Sequence, residues 1–220
     1  MKPVAIFLSI FTSFLIALNN DKPNFKNLNF RFIGPDGNRA IAISGVSSDH
    51  NTYYVGAASG GLFKTTNKGI SWEPIFDDQD VSSVSAIAIS QKNPNIVWAG
   101  TGETFLIRPA HAIGDGIYKS EDGGNTWKNM GLQKTARIAK IVIHPKNDKI
   151  VYVAALGHTF GPQEDRGIYK TTNGGKTWKK ILFIDQNTGG IDIALDRKNP
   201  NFLIASMWEI YINTWGLNSG

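Results

Sequence analysis

Lys119-Ser-Glu-Asp-Gly-Gly-Asn-Thr-Trp127 decides the fold, because the chain carries this nonapeptide three times. The other copies are Lys64-Thr-Thr-Asn-Lys-Gly-Ile-Ser-Trp72 and Lys170-Thr-Thr-Asn-Gly-Gly-Lys-Thr-Trp178. From Trp72 to Trp127 is 55 residues and from Trp127 to Trp178 is 51, so the repeating unit is about fifty residues long. Upstream of each copy lies a pair of β-rich runs: Ile41-Ala-Ile-Ser with Tyr53-Tyr-Val-Gly-Ala, Ile87-Ala-Ile-Ser with Ile96-Val-Trp-Ala-Gly, and Ile141-Val-Ile-His with Ile150-Val-Tyr-Val-Ala. A fourth pair, Ile193-Ala-Leu-Asp with Phe202-Leu-Ile-Ala-Ser, follows the last copy. The turns inside the later pairs also repeat, as Lys92-Asn-Pro-Asn95, Lys146-Asn-Asp-Lys149 and Lys198-Asn-Pro-Asn201. Proline fixes φ and asparagine tolerates the left-handed region, which suits them to tight turns.

Each unit reads as four strands, in the second at 84–90, 95–101, 115–120 and 125–130, and no long helical stripe follows residue 20. A fifty-residue period of four antiparallel strands is the signature of propeller blades, which must stack because one blade cannot bury both of its faces. The expected fold is all-β: a β-propeller of four-stranded antiparallel blades at about 38–76, 84–132 and 138–184, with an incomplete 190–220. That is a partial arc of about three and a half blades. Closed propellers use about four to eight, so the remaining blades are expected on the same, longer chain.

The nonapeptide matches the Asp-box pattern S-x-D-x-G-x-T-W, in full at Ser120, Asp122, Gly124, Thr126 and Trp127. The first copy supplies Thr65, Asn67, Gly69, Ser71 and Trp72, and the third Thr171, Asn173, Gly175, Thr177 and Trp178. A short Asp or Asn side chain accepts backbone N–H groups within the turn, glycine supplies positive φ, and tryptophan buries a large apolar area over the hairpin. Recurrence once per blade assigns these residues to structure rather than to catalysis or sugar binding.

The first twenty residues follow other rules. Met1-Lys2-Pro3 precedes an apolar-to-small run from Val4 to Leu18, the n- and h-regions of a secretory signal. The run is short for a membrane span, which needs about 20 apolar residues. Residues 1–20 are therefore expected to be a signal peptide, cleaved or retained as an anchor, with the propeller from 21 to 220 exported to the cell envelope or medium. No other stable membrane span is expected. The chain has no cysteine, which excludes disulfide scaffolds, thiolate-zinc sites and thiol nucleophiles. Its net charge of +5 is scattered beside turns rather than gathered in a run, so no nucleic-acid partner is expected. With four histidines and no close pair spacing, neither a metal site nor a cofactor is expected.

Blades with this hairpin resemble the bacterial-neuraminidase-repeat superfamily, which includes sialidases, family 74 xyloglucanases, sortilin-type receptors and photosystem assembly factors. The chain most resembles large secreted bacterial proteins labelled glycosyl hydrolase or sortilin (VPS10) N-terminal-like. The stretches that carry this are Phe30-Arg-Phe-Ile-Gly-Pro35 with Arg39, Tyr54-Val-Gly-Ala-Ala-Ser-Gly-Gly-Leu-Phe-Lys64, Ala155-Leu-Gly-His158, Arg166-Gly-Ile-Tyr-Lys170, Thr188-Gly-Gly-Ile-Asp192 and Met207-Trp-Glu209. The resemblance implies either a propeller that binds a peptide, glycan or envelope protein, or a hydrolase of a polysaccharide. Family 74 xyloglucanases place their catalytic Asp two positions before a Gly-Gly. Here that position is Ala58, before Ser59-Gly60-Gly61, which speaks against xyloglucanase chemistry.

In a propeller the nonapeptides would occupy the turns between strands three and four. Function is then expected on the opposite face, in the loops from strand two to three at Gly102–Gly114, Gly157–Asp165 and Trp208 onward. The ligand-face candidates are Arg39, Glu103, Arg108, His111, Arg137, His158, Trp208 and Glu209, with Glu103, Glu209 and Asp115 as candidate catalytic carboxylates. Glu103, His158 and Glu209 read as equivalent repeat positions that could ring the axis. Arg39 and Arg137 are expected to pair with acidic neighbours such as Asp80. Trp208 could stack on a sugar or pack between blades.

Overall fold

The computed structural model describes residues 32–35, 39–104, 112–213 and 215–220. The proposed signal peptide and the candidates Arg108 and His111 lie outside them. Fifteen strands form four antiparallel sheets among the described residues. The first holds β1 (Ala40–Val46), β2 (Asp49–Ala57), β3 (Leu62–Thr65) and β4 (Glu73–Pro74). The second holds β5 (Val84–Ile89), β6 (Val97–Thr101), β7 (Ile117–Ser120) and β8 (Lys128–Asn129). The third holds β9 (Ile138–Ile143), β10 (Val151–Ala155), β11 (Gly167–Thr171) and β12 (Lys179–Leu182). The fourth holds β13 (Thr188–Leu195), β14 (Leu203–Ile212) and β15 (Leu217–Ser219), one strand more than the sequence suggested. Each sheet pairs its strands in chain order, so each is an up-and-down meander. The helical element among the described residues is one 3₁₀ turn, Gln133–Thr135.

The apolar cores lie between sheets. Tyr54 and Leu62 of the first sheet, with Phe76 just past its last strand, pack on Val84, Val97 and Tyr118 of the second. Ala86, Trp98 and Ile117 of the second pack on Ile141, Val153 and Tyr169 of the third. Tyr152, Ala154 and Ile168 pack on Ile193 of the fourth. This explains why Val97–Thr101 and Val151–Ala155 are buried at every position: neighbours cover both faces of the central strands. The first strands β1, β5, β9 and β13 lie against one another in sequence, as strands lining a common axis do.

The three nonapeptides join strands three and four and share one hydrogen-bond scheme. Ser120 Oγ donates to Asp122 Oδ1 at 2.7 Å and accepts the Gly124 amide at 2.8 Å. Asp122 in turn accepts the Thr126 amide (2.9 Å) and hydroxyl (2.6 Å). In the first copy Thr65 donates to Asn67 at 2.9 Å, and Asn67 Oδ1 accepts the Ser71 amide at 2.9 Å. The third copy matches it through Thr171, Asn173 and Thr177. Where Asn replaces Asp one bond reverses, because the amide Nδ2 then donates to the hydroxyl of Ser71 or Thr177. Two successive residues stand in the left-handed region: Lys68 and Gly69, Gly123 and Gly124, Gly174 and Gly175. Each indole N–H then reaches the preceding outer strand, from Trp127 to Ile75 O at 2.7 Å and from Trp178 to Met130 O at 2.8 Å. Trp72 reaches Ile33 O in the same way at 2.6 Å.

The Asp/Asn difference gives a test. The Thr126 hydroxyl first, then the Thr126 amide and the Ser120 hydroxyl, hold the Asp122 carboxyl down at about 2. Because the folded value lies below the unfolded one, about 3.9, the hairpin's gain from this group is present above that value. It is lost as pH falls through about 2. In an NMR titration the Thr126 amide should move with a midpoint near 2, whereas Ser71 and Thr177, bonded to Asn, should not follow. A Thr126 midpoint near the unperturbed value would overturn this.

Candidate functional site

The first strands begin at register-equivalent positions. The carbonyls of Arg39, Ser83 and Arg137 accept the amides of Ala58, Gly102 and Leu156 at 3.0 Å each, tying the start of strand one to the end of strand two. These junctions form one end of the axis, and the expected ligand face is built on them.

Glu103 leaves β6 two residues past its end and turns inward. Its side chain is 6% exposed, and Oε1 stands 2.6 Å from Arg39 Nη2. Its amide donates to Ala112 O at 2.8 Å, and its carbonyl accepts Arg137 Nε at 2.9 Å. Arg137 is wholly buried and also donates from Nη1 to Gly157 O at 3.3 Å. Desolvation pushes its pKa down to about 10, against the pull of Glu103. Its Nη2 has no hydrogen-bond partner among the described residues. Arg39 thus pairs with an acidic neighbour, Glu103 rather than Asp80, whereas Arg137 bonds carbonyls instead of an acid. A cavity of about 460 Å³ opens beside the pair, lined by Arg39, Ala40, Ile41 and Thr104.

A second buried guanidinium stands in the same blade as Arg137, ahead of its third strand, and the sequence reading did not place it in the site. Arg166 opens onto β11 and donates from Nη1 to Asn187 O at 2.6 Å and from Nη2 to His158 O and, at 3.4 Å, to Ile210 O. Its Nε, like the Thr159 hydroxyl, lacks a partner among the described residues. A signal was present. The stretch Arg166-Gly-Ile-Tyr-Lys repeats Asp115-Gly-Ile-Tyr-Lys, with an arginine where the previous blade has an aspartate. Burial, then the charges of Arg137 and Arg166, lower the His158 pKa and so favour the neutral ring.

The candidate carboxylates separate. Asp115 Oδ2 accepts the Tyr118 hydroxyl at 2.5 Å, its amide donates to Thr101 Oγ1 at 3.0 Å, and its carbonyl accepts Asn129 Nδ2. It closes the loop between β6 and β7. Glu209 does not start a loop, as the sequence suggested, but lies inside β14 opposite Thr188 and is exposed. Strand β14 runs two residues further along its partner than the second strands of the other sheets, which is why Trp208-Glu209 looked like a loop. Trp208 packs beside Leu156 and Ile210 and donates to Ser219 Oγ at 2.7 Å, so it is a packing residue. The register also corrects the proposed ring. Val97 and Val151 both pair with the last residue of strand three, so Gly157, not His158, is the counterpart of Glu103. Among the described residues no three His, Asp or Glu side chains converge as metal ligands would.

Comparison with known proteins agrees with this architecture. The Sortilin-Vps10 family model (sortilin, neurotensin receptor 3) matches residues 115–215. A probable oligoxyloglucan-reducing end-specific xyloglucanase of Neosartorya fischeri is 25% identical over 153 residues, covering 66% of this chain and 16% of its own. The crystal structure of an ancestral GH74 enzyme superposes with a TM-score of 0.60 at 25% identity, covering 81% of this chain and 23% of its own. PorZ, a surface component of the type-IX secretion system of Porphyromonas gingivalis, superposes at 0.55 with 18% identity, covering 81% and 26%. The chain thus spans about a quarter or less of the length of these proteins. Together, the stacked sheets, the repeated hairpins and these matches make the chain a repeat-built, sortilin-like β-propeller with glycoside hydrolases among its relatives.

Proposed function

We propose that the chain is part of an exported Asp-box propeller that binds a peptide, glycan or protein partner at the Arg39–Glu103–Arg137 end of its axis, and does not cleave it. The observation that carries this is the engagement of the carboxylates. Hydrolysis of a glycosidic bond needs two facing carboxyl groups about 5 Å apart for retention or about 6.5–9.5 Å for inversion, one of them able to hold a proton. Glu103 is nearly buried on Arg39, and Asp115 is taken up by Tyr118 and Thr101. The half-exposed guanidinium of Arg39 and the cavity beside it suit a ligand rich in acceptors. The match to a model built on receptors supports binding as well.

The hydrolase reading keeps one support, the 25% identity to a xyloglucanase and to a GH74 enzyme, against the alanine at position 58. Reducing-sugar release from a panel of β-glucans, xyloglucan and acidic polysaccharides separates the two. The expected result is no release, together with capture of a defined peptide or envelope protein that weakens about tenfold in Arg39→Ala, the loss of one charge-assisted contact. Sugar release that vanishes in Glu103→Gln would overturn the binding reading. Export is tested by N-terminal sequencing of secreted protein, with a start soon after residue 20 expected.

A further inference from the structure

The other end of the first strands holds a cavity that the site above does not use. It measures about 380 Å³, within the range of small-ligand sites. All four sheets line it at or just beyond the ends of their first strands, with Ser44, Ser47, Ser90, Gln91, His144 and Arg197 as its polar groups. Beneath them lie branched aliphatic side chains, including Ile89, Ile143 and Leu195.

Arg197 and His144 supply the strongest donors. His144 Nδ1 accepts the Lys146 amide at 3.1 Å, so in the neutral ring the proton sits on Nε2, free to donate. Arg197 is exposed and has no hydrogen bond or ion pair among the described residues. No carboxylate lines the cavity, and the acids nearest in sequence are used in turns. Asp148 accepts the Ser90 hydroxyl at 2.6 Å, and Asp196 accepts the Lys198 and Asn199 amides at 2.8 and 3.2 Å. Asp49 holds the Asn51 amide and the Thr52 hydroxyl. The floor carries no aromatic ring, so it offers an alkyl stem a surface but gives a sugar ring nothing to stack on.

We propose that this axial cavity on the hairpin side binds an aliphatic carboxylate, with the charge held by Arg197 and His144 Nε2–H and the stem lying over Ile89, Ile143 and Leu195. The carboxylate can belong to a free short-chain acid or to the acidic side chain of a peptide. Guanidinium and carboxylate form strong charge-assisted bonds, and a neutral amide of the same shape forfeits them.

The test uses glutarate and acetyl-Gly-Glu-Gly-amide, each beside its amide counterpart, glutaramide and acetyl-Gly-Gln-Gly-amide, in calorimetric titrations of the full chain. At least one acid should bind about tenfold more tightly than its amide, and Arg197→Gln should remove about that factor. His144→Phe should weaken binding severalfold. The tighter of the two acids identifies the source. Arg197 is exposed, so its variant should melt like the parent. Equal binding of acid and amide, no binding of either acid at millimolar concentration, or full affinity in Arg197→Gln would each overturn the proposal.

Discussion

Adding a single methyl group at position 56 is expected to part the first two blades and cost about 3 kcal/mol, the upper end of overpacking penalties. Gly56 stands on β2 where the next sheet begins. A Cβ there would come 2.3 Å from the carbonyl oxygen of Val84 and 3.1 Å from its side chain. The obstacle is backbone, so relief requires moving β5 itself. Gly100, at the same register position one blade on, would press mainly on the methyl of Ile138 at 2.4 Å. Gly100→Ala should therefore cost less than Gly56→Ala, because a side chain gives way more easily than a strand. At the third interface the sizes are exchanged. The second strand carries Ala154, and the facing position on the next first strand is Gly190, whose absent Cβ would lie 3.2 Å from Ala154 Cα. Each interface thus leaves out a side chain on one partner or the other. Urea unfolding of Gly56→Ala and Gly100→Ala should give the larger loss at 56, where the carbonyl of Val84 cannot step aside as the Ile138 side chain can. A Gly100→Ala loss as large as that of Gly56→Ala, or a Gly56→Ala loss below about 1 kcal/mol, would contradict the contact.

How much of this could be read from the sequence follows from the range of the forces involved. The hairpins were legible because Ser120, Asp122, Gly124 and Thr126 satisfy one another within seven residues. Strand order followed from the same repetition, since adjacent runs joined by short turns pair as meanders. The site was legible as a region but not as a set of contacts. Glu103 finds Arg39 across 64 residues and Arg137 across 34, and no local pattern announces either pairing. Asp115 looked like a catalytic partner and proves to be a loop clasp, because Tyr118 lies three residues on, across the start of β7. His144 ends the β-rich run Ile141-Val-Ile-His and Arg197 stands one residue before the Lys198 turn, so nothing local sets either apart. Only the convergence of four first strands puts them around one cavity.

The third hairpin tests whether the repeat's tryptophan is a staple between blades. Trp178→Ala should cost about 3–4 kcal/mol, as large-to-small changes at packed aromatics do. The indole meets Trp98 edge to face at 6.0 Å and donates to Met130 O at 2.8 Å, so both contacts cross from the third sheet to the second. Trp98 is wholly buried, and Gly175 beneath it has no room for a Cβ, which would lie 2.6 Å from its ring. Truncation at 178 would therefore open a cavity against a side chain that cannot move toward it. Trp72 makes the corresponding bond to Ile33 O, but Ile33 is 49% exposed, so little packing is lost with the ring. Trp72→Ala should cost about 1 kcal/mol, close to the value of one hydrogen bond. Phenylalanine keeps most of the apolar area and gives up only the indole N–H, so Trp178→Phe should recover more than half of the alanine loss. Equal losses at 72 and 178 in denaturant melts would mean that the tryptophan holds its own hairpin together. A loss confined to 178 and restored by phenylalanine would place its work at the blade interface.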